Sequence, residues 1–437
     1  MRKSQVSYKD LESFIRKTFY HFPWEMQITY LGNSFSIGKK KSHWCNEPLR
    51  INIKTNSAAR TIIKEDSLGF LIKAVEGEIG LSGNIYVLTF LRNHGKFDGI
   101  KSWRWIKRLV IDNTFQSRNK AKVNVKSHYD MPEIAISKYL DSKYESYSTA
   151  IWKDPFHFDK EELTRIGNGE ADNFDSLEKA QWRKFKDGMN FINPKPGDKI
   201  IDIGCGYGGQ LKVGLEEHPK IKFVGWTHSH NQVVGGNKLL DKFPRENWEL
   251  HEGDYREEKR SGYFDHVTSS GMVSHVGPKG LIPYVKNIRK LMNSEGGGKY
   301  VHHAIMDAGN DIPINWGPGS VFNKMFVWPG FHWFTPGQHL LALESNGFKV
   351  HKIICLNDHY SKTAAAWHLR FKKNKEEIRT HMNEEEYRAW EIYLAGAVGA
   401  FKRKFSGGKY RFYCESLPLN SQTGKFGPSA DSPTSYY

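Results

Sequence analysis

Apolar residues recur along this chain with two periods. Leu11, Phe14, Ile15, Phe19 and Phe22 recur at helical spacing, as on one helix face. Short apolar runs at 27–30, 35–37 and 49–53 predict strands, and 68–75 predicts a helix that ends at Gly77, before the glycine-marked stretch 80–83. From about 130 to 415 the pattern alternates. Strands are predicted at 199–203, 221–226, 248–251, 266–269, 300–305, 348–355 and 410–414, with helices between most of them, as at 281–292 and 338–345. Two helical stretches, 361–379 and 383–404, fall between the last two strands and are predicted to form a lid or side wall. Such alternation implies a mainly parallel sheet covered on both faces, because each parallel connection must cross over the sheet. The fold class expected is α/β: a doubly wound seven-stranded sheet whose last two strands are antiparallel, preceded by a smaller N-terminal α+β domain. The domains expected are 1–125, ending in a basic linker, then 126–415, then a disordered tail at 416–437, where Ser, Pro, Gly and Thr lack periodicity.

Composition narrows the function. The four cysteines, Cys45, Cys205, Cys355 and Cys414, lie far apart and form no C-x-x-C. Cysteine-held metal clusters and a disulfide framework are therefore not expected, no metal site is, and a reduced, cytoplasmic setting fits. No apolar segment follows Met1-Arg2-Lys3-Ser4-Gln5, so no secretory leader is expected, and no apolar run is long enough to span a bilayer. The net charge of +16 suggests a polyanionic partner, either nucleic acid or an anionic membrane surface. With 14% aromatic residues, stacked bases and a membrane interface suit the chain equally. Lys39–Lys41 fall in a predicted loop, and the basic, aromatic run from Lys101 and Trp103 to Lys126 reads as a surface linker. The stripe Leu11–Phe22 reads as a core-facing helix rather than a membrane blade.

The densest chemical signal is Lys199-Ile200-Ile201-Asp202-Ile203-Gly204-Cys205-Gly206-Tyr207-Gly208-Gly209. A buried strand ends near Asp202, breaks into alternating glycines, and enters a helix carrying Leu211, Val213 and Leu215. Gly204 and Gly206 let backbone approach a ligand, and the helix start offers N–H groups to an anionic group such as a carboxylate. The spacing is neither the G-x-G-x-x-G of dinucleotide folds nor a P-loop. It resembles the cofactor loop of S-adenosylmethionine-dependent methyltransferases. About twenty residues on, Thr227, Ser229 and Gln232 stand where doubly wound folds bind ribose, although Ser229 or Asn231 serves equally as a helix cap. Asp254 and Tyr255, after the third strand, suit adenine. The fourth strand ends in Ser269-Ser270-Gly271-Met272, without the Asn/Asp-Pro-Pro-aromatic run of nucleobase N-methylation. No cysteine follows a proline, as cytosine C5 chemistry requires. Nucleic acid is therefore not the expected partner.

Further segments make the resemblance specific. Tyr147-Ser148-Thr149-Ala150-Ile151-Trp152, Leu177–Gln181, the glycine loop, Gly225–Ser229 with Gln232, Asp254-Tyr255-Arg256, Gly271-Met272 with His275-Val276-Gly277, Phe326–Gly330, His359–Thr363 with Trp367, and Tyr393–Gly396 with Phe401 follow in order from about 147 to 413. On these the chain resembles the cyclopropane-fatty-acyl-phospholipid synthase family. The resemblance implies S-adenosyl-L-methionine as co-substrate and the double bond of an unsaturated phospholipid acyl chain as acceptor. It further implies a place in the cytoplasm, peripheral to the inner membrane leaflet, with a homodimer allowed. It assigns Tyr147, Ser148, Gly204, Gly206, Thr227, Gln232 and Tyr255 to the cofactor, beside Asp202. The family's base is a bicarbonate held by Cys, Glu, His, Tyr and a backbone amide. Here His303 and Tyr360 match the histidine and tyrosine, and are the catalytic residues it implies, while Ile305 matches the backbone donor. Thr149 stands at the cysteine position and Ser274 at the glutamate position. The lost carboxylate weakens the case for bicarbonate and favours methylation over ring closure. Two rivals remain at this point: an amine methyltransferase of the same family, and a non-catalytic lipid- or RNA-binding relative.

Overall fold

The computed structural model describes residues 5–42, 45–94, 133–156, 165, 175–307, 317–402, 407–420 and 426. The basic run 101–126, and with it the expected domain boundary, lies outside the described residues. Near the N-terminus, β1 (Met26–Tyr30), β2 (Asn33–Ile37), β3 (Leu49–Ile53) and β4 (Ile79–Gly83) form a sheet in the order β2-β1-β3-β4. β1 runs parallel to β3, and the outer pairs are antiparallel. Helix α1 (Tyr8–Thr18) starts at Ser7, whose hydroxyl accepts from the Asp10 amide, and buries Leu11 and Ile15. Phe19 and Phe22 are buried just beyond it. The phenylalanine stripe is therefore core, as its spacing predicts. Helices α2 (Asn56–Ile63) and α3 (Ser67–Val75) follow.

The second sheet contains β5 (Lys199–Ile203), β6 (Lys222–Thr227), β7 (Trp248–Glu252), β8 (His266–Ser270), β9 (Lys299–Met306), β10 (Phe348–Cys355) and β11 (Gly408–Ser416). Their order is β10-β11-β9-β8-β5-β6-β7. β5 to β9 pair in parallel, and β11 lies antiparallel to both β9 and β10. This is the predicted doubly wound arrangement. β5 pairs with β6 on one side and β8 on the other, so the strand order reverses there and opens a crevice at the carboxyl ends. The helices that matter for the site are α4 (Leu177–Ile192), α5 (Gly209–Glu217), α6 (His230–Leu240), α7 (Leu281–Leu291), α8 (Pro318–Phe326), α9 (Pro336–Glu344), α10 (Asn357–Lys373) and α11 (Glu384–Lys402).

The two stretches predicted as a side wall are α10 and α11, and they do more than cover the sheet. One hydrophobic cluster joins Leu11, Ile28 and Ile51 near the N-terminus to Trp367, Phe371, Trp390 and Leu394 on these helices. Polar bonds follow the same seam: Arg388 Nε donates to Val75 O at 2.7 Å, and Tyr86 OH lies 2.8 Å from His368 Nδ1. The N-terminal residues thus share their core with one wall of the crevice.

The disorder expected from 416 does not apply to the first residues of that stretch. Ser416 closes β11, Leu417 N donates to Gly347 O, and Leu419 N donates to Ser294 O, both at 2.8 Å. Phe426 bridges to Leu419. Main-chain bonds to neighbouring turns hold a segment whose side chains show no period.

Candidate active site

A cavity of about 780 Å³ opens at the carboxyl ends of the central strands. Tyr147, Ser148, Asp202, Gly204, Gly206, Thr227, Gln232, Tyr255 and Tyr360 all border it. At the far end it reaches Phe70 and Leu71 on α3, with Leu88 and Leu91 beyond.

The two glycines singled out from the loop differ in function. Gly204 has φ +79°, and a Cβ there would stand 2.9 Å from Met272 Cβ. Gly206 has φ +56°, and nothing lies within 4 Å of the place a Cβ would take. Gly204 is demanded by packing, whereas Gly206 keeps clear a surface that faces the cavity. The amides of Gly204 and Cys205 both donate to Trp226 O at 3.0 Å, which ties the loop to the end of β6.

Asp202 is buried, and its carboxylate accepts from Thr268 Oγ1 at 2.8 Å. Burial pushes its pKa up to about 7, against the Thr268 hydroxyl and the Lys184 ammonium, which favour the charged form. Lys184, on α4, is fully buried and donates to Ser148 Oγ at 2.8 Å and to Ser146 Oγ. Burial drives its ammonium down, while Asp141 and Asp202 oppose that. Asp141 in turn accepts the amides of Tyr144 (2.7 Å) and Ser146 (2.8 Å). A buried acid and a buried amine therefore fix the segment that presents Tyr147 and Ser148. The sequence reading missed both groups. The available signal was Lys184 itself, four residues from Ala180 and Gly188 on the face that α4 buries.

Thr227 Oγ1 donates to Gln232 Oε1 at 2.5 Å, while Ser229 caps α6 by accepting from the Gln232 amide. Capping and a hydroxyl-binding role coexist, because the Gln232 side-chain NH2 still has hydrogens to give. Asp254 is engaged otherwise. Burial alone would raise its pKa, but bonds from the Arg256 guanidinium and amide hold it below the usual carboxylate range. Tyr255 stands edge-on to Tyr284, with centroids 5.6 Å apart.

Aromatic rings form the opposite wall. Tyr147 lies between Trp328 (5.2 Å, 26°) and Trp367 (5.0 Å, 30°). Tyr360 meets Phe401 edge-on at 4.5 Å, and its hydroxyl lies 3.4 Å from that of Tyr393. Burial raises the Tyr360 pKa well above 10, so the phenol stays protonated.

The structure divides the group matched to the bicarbonate site. Tyr360, Ser274 and Ile305 border the cavity, whereas His303 and Thr149 do not. His303 is buried in β9 and neither ring nitrogen has a hydrogen-bond partner, nor has the Thr149 hydroxyl. Burial first, then the cations of Lys409, Arg411 and Lys184, press the His303 pKa well below its ordinary value. Its imidazole is neutral and a poor proton acceptor. Lys409, which sequence reasoning passed over, borders the cavity at the same end.

The profile of the family described as mycolic acid cyclopropane synthetase matches residues 116–407. The sphingolipid C9-methyltransferase of Candida albicans is 26% identical over 313 residues, 70% of this chain and 57% of that protein. The cyclopropane-fatty-acyl-phospholipid synthase of Escherichia coli K12 is 28% identical over 291 residues, 66% of this chain and 67% of its own length. The chain thus spans little more than half of the first relative. Among solved structures, the cyclopropane synthase MmaA2 from Mycobacterium tuberculosis superposes with a TM-score of 0.59 at 20% identity, covering 68% of this chain and 98% of that one. That likeness concerns the fold.

Proposed function

This chain belongs to the mycolic acid cyclopropane synthetase family of S-adenosylmethionine-dependent methyltransferases, and we propose that it is a C-methyltransferase acting on lipid acyl chains. It adds one carbon to the double bond of an unsaturated phospholipid chain and leaves a methyl-branched chain in preference to a cyclopropane. The observation that carries this reading is the single cavity that joins the glycine loop to an aromatic wall and to the apolar residues Phe70, Leu71, Leu88 and Leu91. A small soluble amine would need no such apolar extension.

The residues present fit the donor. Gly206 leaves open the surface that a Cβ would fill, and Asp202 brings a carboxylate to the binding place of a cationic molecule. S-adenosylmethionine supplies an electrophilic methyl group. An alkene is a weak nucleophile, so the cavity must hold it in line with that methyl and keep water out. Transfer forms a carbon–carbon bond, breaks the sulfur–methyl bond and leaves a cation on the neighbouring chain carbon. The aromatic residues that border the cavity, among them Trp328, Tyr360 and Phe401, favour that cation.

Asp202 gives binding a pH dependence. With a pKa of about 7 it is mostly neutral at lower pH, and a cationic ligand binds better to the ionised form. Between about pH 8 and about pH 6 the wild type should lose about tenfold more affinity for S-adenosylmethionine than Asp202→Asn does. The comparison cancels titration of the ligand's own amine. Equal losses in the two proteins on calorimetry would remove Asp202 from the binding site.

Among the described residues no helix is long and apolar enough to cross a membrane. The lipid is reached from the surface, with exposed Lys39, Lys40 and Lys41 meeting anionic headgroups at the cytoplasmic leaflet. The test is transfer from labelled S-adenosylmethionine to vesicles containing unsaturated glycerophospholipid or sphingolipid chains, with and without anionic lipid. Chains heavier by one CH2 unit are expected, with a product that still takes up hydrogen and little dependence on added bicarbonate. Strong bicarbonate dependence with a product inert to hydrogenation would establish ring closure instead. Methylation of soluble amines with no change in lipid would overturn the reading.

A further inference from the structure

The cation left on the chain must lose a proton, and the groups matched to bicarbonate binding are no longer one site here. Their departures leave open which group takes that proton. Tyr360 is a protonated phenol, and His303 stands behind the cavity wall. Burial holds His275, which borders the cavity, at about 4. Asp254 is paired with Arg256, and Asp202, on β5 beside the glycine loop, accepts from Thr268 and is assigned to the donor.

Lys409 is placed differently. In the β9–β11 ladder it lies directly opposite Ile305, and Arg411 lies opposite His303. Residues opposite each other and two apart share a face, so Lys409, Ile305, His303 and Arg411 present one surface. The main chain of Lys409 is tied to the start of α10: its amide donates to Asn357 Oδ1 at 2.7 Å, and its carbonyl accepts from Leu356 N at 2.6 Å. Tyr360 follows three residues later, and Lys409 Nζ lies 5.0 Å from the centre of its ring. The residue is 3% exposed and borders the cavity. Among the described residues its Nζ has neither a hydrogen bond nor an ion pair, whereas buried Lys184 donates to two hydroxyls and Lys362 to Asp154 O.

We propose that the Lys409 amine is the base that takes the proton from the methylated chain, an inference that rests on the acyl-chain reading of this cavity. A C–H bond beside the cationic carbon breaks, its electron pair forms the new double bond, and the Nζ lone pair takes the proton. The ammonium then returns its proton to water as product leaves. Burial lowers the pKa of Lys409 to about 7, so a large share is the free amine at neutral pH. Burial is the cause; the groups around it are Arg411 on its own strand, which pairs with Asp187 at 2.9 Å, neutral His303 on β9, and the phenols Tyr360 on α10 and Tyr393 on α11. Lys184 on α4 lies nearby, its own ammonium pressed down by burial.

The test compares the full chain with Lys409→Met, Lys409→Arg and Lys409→Ala, on vesicles of unsaturated phospholipid. Lys409→Met should melt as a folded protein and bind S-adenosylmethionine within about twofold of wild type, while transfer falls at least about 100-fold. Wild-type kcat should fall toward acid pH with an apparent pKa near the Lys409 value, and that limb should vanish in Lys409→Met. Lys409→Arg should not recover the rate, because a guanidinium keeps its proton. Methylamine in the buffer should restore part of it to Lys409→Ala, which keeps the test open if the Met variant folds poorly. Wild-type rates in Lys409→Met, or full recovery in Lys409→Arg, would overturn the proposal while leaving lipid transfer standing. If the wild type binds S-adenosylmethionine but moves no carbon to lipid, the acyl-chain reading fails and this inference with it.

Discussion

Gly206→Val should cut the affinity for S-adenosylmethionine at least about tenfold, about 1.4 kcal/mol, in a protein that still folds. The two effects can be separated because of where the glycine sits. At φ +56° a β-branched residue is strained, at a cost of about 1–3 kcal/mol, a fraction of the stability of an ordinary domain. No protein atom opposes the new side chain, since nothing lies within 4 Å of its Cβ. The isopropyl group therefore enters the space where the ligand must approach backbone. Gly204→Val is the contrast. Its Cβ would meet Met272 at 2.9 Å, so damage there should appear first in stability. Thermal melting with calorimetry on both variants distinguishes the cases. Unchanged affinity in folded Gly206→Val would remove the loop from the binding site.

What the sequence discloses depends on how local the cause is. Each of the seven predicted strands is present in the second sheet, with ends shifted by no more than two residues. Their cores are runs such as Ile200-Ile201, buried on both faces. β4 escaped notice because Ile79-Gly80-Leu81-Ser82-Gly83 reads as a turn, and only pairing with β3 makes it a strand. α4 escaped because its buried face carries Gln181 and Lys184 among the apolar residues. The glycine loop was legible for the opposite reason: strand end, turn and helix start are consecutive. Lys409 lies opposite Ile305, more than a hundred residues away, and no spacing along the chain encodes that register. The resemblance named His303 and Tyr360 together, whereas the structure gives only Tyr360 a place on the cavity.

Trp152→Ala should destabilise the protein by about 3–5 kcal/mol and weaken S-adenosylmethionine binding as well. Trp152 is 2% exposed and sits where the segment bearing Tyr147 and Ser148 crosses α10. Its amide donates to His359 Nδ1 at 3.0 Å, and its indole Nε1 donates to Thr363 Oγ1 at 3.0 Å and His359 O at 3.2 Å. The Ala150 amide also donates to Thr363 Oγ1, at 3.2 Å. Truncation opens a cavity and removes the indole clamp together, so the loss should approach the upper part of the range. Trp152→Phe separates the contributions. It keeps most of the packing and loses the Nε1 bonds, while Thr363 Oγ1 still donates to His359 O at 2.7 Å, so about 1–2 kcal/mol is expected. The coupling to the site follows from chain continuity: between Trp152 and Ser148 lie only three residues, and Ser148 is held from the other side by Lys184. Urea unfolding with and without S-adenosylmethionine reads both effects. If Trp152→Ala lay within about 1 kcal/mol of wild type and bound the ligand equally well, α10 would not be what positions Tyr147 and Ser148.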